Sequence, residues 1–188
     1  MRSLHEAAMS KPSDDELEEP QPQLVIQTHT GMSIQDLKYL PHGRLVISDW
    51  DGFVEVWNLE KGKQEGTSLE TDQDGDFGCL AVTRDGTKIV WSLSGLRHED
   101  FGVIEVFDVE SHRLIKKWTH PHGAYGIAIS PDDRLIAVAG AGSVGFYTLE
   151  GEQVDDVIKI DEDIAYSLSF SPDGNKLARG NYRGEIFV

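Results

Sequence analysis

From Leu24 onward, short apolar runs alternate with clusters of turn residues, and no stretch holds a helical apolar period for three turns. Ile34, Leu37 and Tyr39 precede Pro41-His42-Gly43, and Leu45, Val46 and Ile47 follow it. Phe77, Leu80 and Val82 precede Arg84-Asp85-Gly86, and Ile89, Val90 and Trp91 follow. Ile127 and Ile129 lead to Pro131-Asp132-Asp133 and then Leu135 to Ala139; Ala165, Leu168 and Phe170 lead to Pro172-Asp173-Gly174 and then Leu177. Proline presets the first turn dihedral and glycine accepts positive φ, so each segment is expected to be a hairpin. The four turns are separated by 43, 47 and 41 residues. That spacing predicts a repeat protein whose unit is three or four strands.

A second motif recurs in register with the first. Asp51 to Leu59 (Asp-Gly-Phe-Val-Glu-Val-Trp-Asn-Leu) is a tight turn feeding a strand. Gly102 to Val109, Gly142 to Leu149 and Gly184 to Val188 repeat it. The chain is therefore expected to be all-β, with four units between residue 24 and residue 188.

Phe170-Ser171-Pro172-Asp173-Gly174, Asp51-Gly52 and Val54-Glu55-Val56-Trp57-Asn58 resemble the WD-repeat (WD40) β-propeller family over residues 24–188. The resemblance implies a propeller segment of about four blades of antiparallel strands, each repeat supplying the outer strand of one blade and three inner strands of the next. Four blades would form an open arc rather than a closed ring, with the last repeat cut at Val188 and the open blade edges available for self-association. WD blades often carry a hydrogen-bonded His, Ser/Thr, Asp and Trp. The first repeat offers His29, Asp51 and Trp57, with Ile47 in place of the hydroxyl. The third offers His120, with Ala141 and Tyr147 replacing the Asp and the Trp. The second has no His near Gln73 and has Phe107 for the Trp; the fourth has Asp161 and Arg183 at the His and Asp positions. No repeat keeps all four residues.

Charge narrows the partners. The formal net charge is -16, and residues 1–22 hold six acidic and two basic side chains with few large apolar groups. This end is expected to be a disordered acidic tail, and residues 23–188 the folded segment. An acidic surface repels phosphate backbones and anionic membranes, so basic protein partners are expected rather than nucleic acid or membrane. Cys79 is the only cysteine, no glycosylation sequon occurs, and no long apolar stretch is present, which together imply an intracellular protein of cytoplasm or nucleus.

Each residue group that could carry chemistry has a structural alternative that fits better. Gly140 to Gly145 spells Gly-x-Gly-x-x-Gly, but a strand-like run follows where a dinucleotide site needs a helix, so it reads as an inter-strand turn. Asp72, Asp74 and Asp76 alternate as in a calcium loop, yet Thr83 stands where the final Glu belongs. His98-Glu99-Asp100 and His120-Pro121-His122 hold ligand types without the spacing of a metal site. Cys79 lies in an alternating strand segment and reads as a structural thiol. No cofactor, metal or catalytic set is expected.

Trp50 and Tyr182 lie two residues before the glycine of equivalent turns, and Phe101 lies one before Gly102. On a propeller these turns share a rim with the loops between blades. Trp50, Phe101, Tyr182 and Arg183 are therefore the candidate partner-binding residues, while His29, Asp51, Trp57 and His120 are the candidate blade hydrogen bonds. The function expected is a non-catalytic scaffold for protein partners. The alternatives are a propeller enzyme of hydrolase or lactonase type, or a fragment without independent function.

Overall fold

A computed structural model describes residues 24–28, 31, 33–70, 77–94 and 101–188, apart from the side chains of Phe77 and residues 161–163. The acidic tail, His29, Asp72 to Asp76, His98 to Asp100 and the Asp161 side chain lie outside what is described. The strands β1 (Ile34–Leu40), β2 (Arg44–Asp49), β3 (Phe53–Asn58) and β4 (Lys63–Glu70) form an antiparallel sheet in sequence order. A second sheet repeats that order with β5 (Phe77–Val82), β6 (Lys88–Ser94), β7 (Gly102–Asp108) and β8 (Arg113–His120).

The third and fourth units differ from the expectation of separate blades, because they share one sheet. Its order is β13-β12-β11-β10-β9, from β9 (Gly126–Ile129), β10 (Ile136–Tyr147), β11 (Ile158–Phe170), β12 (Leu177–Asn181) and β13 (Ile186–Phe187). The cause is the length of β11. Its start pairs with β10 (Lys159 with Ser143, Ile158 with Val144), and its end pairs with β12 from Ala165 to Phe170. One strand thus closes the third unit and opens the fourth. Among the described residues no sheet closes into a barrel, and the blades form an open array.

The cores lie between sheets. Side chains alternate across a strand, so each blade has two faces. One face of the first blade (Leu40, Val46, Val54, Val56) packs on Leu80, Ile89, Trp91 and Phe107 of the second. The other face of the second (Ala81, Val90, Ile104, Val106) packs on Ile127, Ile136, Val138 and Tyr147. A third cluster joins Ala137, Ala139 and Val144 of β10 to Ala165 and Leu168 of β11 within the five-stranded sheet. The first strands of successive units, β1, β5, β9 and β11, stand next to one another. Burial on both faces explains why β6 is a nearly unbroken apolar run instead of an alternating one.

The hairpin turns follow one hydrogen-bonding plan in the last three units. Thr83, Ser130 and Ser171 each donate a hydroxyl hydrogen bond to the aspartate two residues on, at 2.7, 2.7 and 2.5 Å. The same hydroxyls accept the backbone N–H of Lys88, Leu135 and Lys176. Hydrogen bonds from hydroxyls and backbone N–H groups hold Asp85, Asp132 and Asp173 below the usual carboxylate range. The turn's third residue takes positive φ, as Gly86 (68°), Asp133 (59°) and Gly174 (72°).

Trp91 is fully buried at the first blade interface, whereas Tyr39 is 73% exposed. Trp91→Ala should lower unfolding stability by about 3–5 kcal/mol. Tyr39→Ala should change it by no more than about 0.5 kcal/mol. Urea denaturation of the two variants checks the difference.

Candidate functional site: the blade rim

The connections between second and third strands emerge on the rim that also carries the loops entering each blade. Backbone contacts tie the two sets together: Trp50 N–H donates to Ser33 O at 3.2 Å, Ala141 N–H to His122 O at 2.7 Å, and Phe101 bridges Gly123. Two of the turns are built alike. Asp49 Oδ1 accepts the N–H groups of Asp51 and Phe53, both at 3.0 Å. Asn181 Oδ1 accepts those of Arg183 at 3.0 Å and Glu185 at 2.8 Å. An Asx side chain closing the turn over itself leaves the next residue on the outside. That residue is Trp50 in one turn and Tyr182 in the other, exposed by 43% and 60%; Phe101, at the second blade's turn, is 66% exposed. Arg183 lies against its own neighbour, its Nε donating to Tyr182 Oη at 3.2 Å and its guanidinium 5.4 Å from the ring centre.

The structure distributes the candidate blade hydrogen bonds differently from the order expected. Asp51 is exposed, and the turn carboxylate is that of buried Asp49. The Trp57 indole donates to Glu55 Oε2 at 2.9 Å, a partner absent from the expected set. Glu55 is buried, as is Glu105 at the equivalent place in the second blade, where Lys117 Nζ lies 3.0 Å from its Oε1. In the third blade the equivalent residue is Gly145. A Cβ there would come within 2.9 Å of His120 Cε1, so the missing side chain makes room for the imidazole.

His120 ends β8 of the second blade and reaches into the third. Its Nδ1 lies 2.8 Å from Tyr147 Oη and its Nε2 3.2 Å from Ser143 Oγ, and all three residues are buried. Ser143 supplies the hydroxyl and Tyr147 the ring partner where the sequence comparison found the Asp and Trp replaced. The run Gly140 to Gly145, expected to be an inter-strand turn, lies inside β10, and Ser143 is one of that strand's residues. Burial, with His122 nearby, brings the His120 pKa down to about 4. Cys79 Sγ lies 3.2 Å from Tyr125 O, and burial pushes the thiol up to about 11, so it stays protonated and unreactive at neutral pH. Among the described residues, no group of three or more His, Cys, Asp or Glu is placed to hold a metal ion.

Blades of antiparallel strands stacked face to face around adjoining first strands define a propeller-type repeat protein. Residues 20–58 match the family model described as "WD domain, G-beta repeat". Three relatives extend the likeness. The U3 small nucleolar RNA-associated protein 15 homolog of Xenopus laevis is 25% identical over 122 residues, covering 64% of this chain and 22% of its own length. Telomerase protein component 1 of Mus musculus is 23% identical over 154 residues, 81% of this chain and 6% of its own. MST50-interacting protein 11 of Pyricularia oryzae is 25% identical over 158 residues, 72% of this chain and 43% of its own. The chain spans about a fifth of the length of the first of these.

Folded His120 takes up its proton only near pH 4, whereas an unfolded imidazole does so near 6.5. Between these values the unfolded state holds more protons, so lowering the pH favours unfolding. Stability should be independent of this group above about pH 6.5 and fall by up to about 1.4 kcal/mol per pH unit toward pH 4. In His120→Gln that contribution to the slope should vanish. Chemical denaturation of both proteins across pH 4–8 measures it.

Proposed function

We propose that this chain is a non-catalytic scaffold that docks a protein partner on the blade rim through Trp50, Phe101, Tyr182 and Arg183. The observation that carries the reading is the equivalent placement of three exposed aromatic side chains. Trp91, Phe107 and Tyr147 are buried between blades and Tyr39 and Tyr166 are exposed singly on strands, whereas the turns of the first, second and fourth units each put one ring into solvent at an equivalent position. Rigid aromatic side chains flanked by an arginine have the composition of interface anchors. The turns that carry Trp50 and Tyr182 are held by side-chain and backbone hydrogen bonds that do not need a partner, so little ordering entropy remains to be lost there on docking.

The formal charge of -16 supports a partner with a basic contact surface. Two of the relatives bear the names of an RNA-associated protein and of a telomerase component. We therefore place the chain in a ribonucleoprotein assembly of the nucleus, contacting the protein components rather than the RNA backbone. Acidic groups repel phosphate, whereas a basic protein offers them counter-charges.

Trp50→Ala combined with Tyr182→Ala should leave the thermal unfolding midpoint within a degree or two of the parent, since both side chains are exposed. The same variant should lose the proteins that co-purify with the parent chain from nuclear extract. Undiminished co-purification by a folded variant would remove these residues from the docking surface.

A further inference from the structure

The hairpin turns of neighbouring blades touch, and they do so by a rule. Pro41, Arg84, Pro131 and Pro172 hold the same position in the four turns; Gly43, Gly86, Asp133 and Gly174 hold the position two residues later. At the first junction Pro41 seats against Gly86: a Cβ on Gly86 would overlap Pro41 Cδ and lie 2.8 Å from its Cγ. At the third, Pro131 faces Gly174, with Pro131 Cδ 3.5 Å from where a Cβ would stand. The proline of one turn therefore meets the glycine of the next.

The second junction departs from the rule at both positions together. Proline is replaced by Arg84 and glycine by Asp133, and the contact becomes a hydrogen bond. The Arg84 backbone N–H donates to the Asp133 carboxylate, 3.0 Å from Oδ1 and 3.1 Å from Oδ2. Proline has no N–H, so this bond exists only because residue 84 is not proline. Glycine has no carboxylate, so it exists only because residue 133 is not glycine. Aspartate is also among the few residues that accept the left-handed backbone that the turn requires, with φ of 59°.

We infer that Arg84 and Asp133 are a matched pair that fixes which hairpin follows which in the array. The Pro–Gly contacts at the first and third junctions are alike in kind and offer little to tell one blade from another. A proline-bearing turn placed on Asp133 would have no N–H to donate to the carboxylate, and at the tight spacing of the first junction it would also meet a Cβ. Arg84 in front of a glycine would forfeit its acceptor. The second blade thus selects the third through one bond gained and two contacts denied, which is how repeats of similar shape are kept in order. The selection uses the backbone of residue 84 and not its guanidinium, and it is independent of anything bound at the rim.

A double-mutant cycle tests the pairing. Thr83 occupies the position that Ser130 and Ser171 hold before proline, and its turn has their hydrogen-bonding plan, so Arg84→Pro introduces a residue the local backbone accepts. Arg84→Pro alone should lower the thermal midpoint by several degrees, and Asp133→Gly alone by less. Arg84→Pro with Asp133→Gly should recover most of the loss caused by the proline, because it installs the contact used at the other two junctions. Arg84→Ala, which keeps the N–H, should match the parent. Additive losses in the double variant, or an Arg84→Ala as damaging as Arg84→Pro, would overturn the inference. Should Arg84→Pro fail to fold, hydrogen exchange decides in the folded parent and Asp133→Ala: protection of the Arg84 amide lost in the variant supports the bond, and unchanged protection refutes it.

Discussion

The middle of this chain depends on burying both faces of a sheet: the second blade lies on the first and carries the third unit. A four-stranded sheet cannot hide its own apolar side chains. It does so only by lying on the blade before it and carrying the blade after it. The requirement sets the residue pattern, since positions on both sides of the inner strands must be apolar: Val90 faces one neighbour while Ile89 and Trp91 face the other. It also fixes the roles of polar groups that stay inside. Asp36 leaves its own sheet to accept the N–H of Leu80 at 2.9 Å in the second blade, and Cys79 reaches Tyr125 O in the third. Each such contact crosses a junction, where it adds direction to an otherwise non-directional apolar contact.

The third blade solves this packing problem in its own way. Glu55 and Glu105 are buried at equivalent places in the first two blades, with an indole N–H, a serine hydroxyl or a lysine as partner. Gly145 gives up the side chain, and an imidazole from the preceding blade takes the space and bonds to two hydroxyls. Unlike the pairing of Glu55 with Trp57 and Ser68 within the first sheet, the third blade's contact spans two sheets. The polar centre of a blade can thus be rebuilt from different residue types provided that each buried donor and acceptor finds its complement.

Much of the architecture was legible in the sequence, because it rests on short-range chemistry. Turn residues at a regular spacing, with apolar runs on either side, are local signals, and they locate the first three strands of each unit by neighbourhood if not by boundary, whereas β4 and β8, which carry few apolar residues, gave no such signal. The merging of the third and fourth units was not legible: whether β11 continues across residues 161–163 depends on partners on either side of it, not on its own residues. At the rim, the turn positions of Trp50 and Tyr182 were legible in the sequence, but not how far their rings stand out from the turns. The groups that hold those turns, Asp49 and Asn181, were missed because one was passed over for its neighbour Asp51. Ser143 and Glu55 were missed for a related reason. A family pattern directs attention to the positions where its residues usually stand, whereas hydrogen bonds form wherever geometry brings a donor to an acceptor.

The Ser/Thr-x-Asp turns have a kinetic consequence. Each closes with bonds among residues no more than five apart, so each hairpin can begin to form before any neighbouring blade exists. Hairpins form in about 1–10 μs, far sooner than sheets of distant strands can assemble. The slow part of folding is then the docking of preformed ribbons face to face. A chain emerging from its N-terminus would present ribbons in the order in which they must stack, each waiting only for the next to arrive.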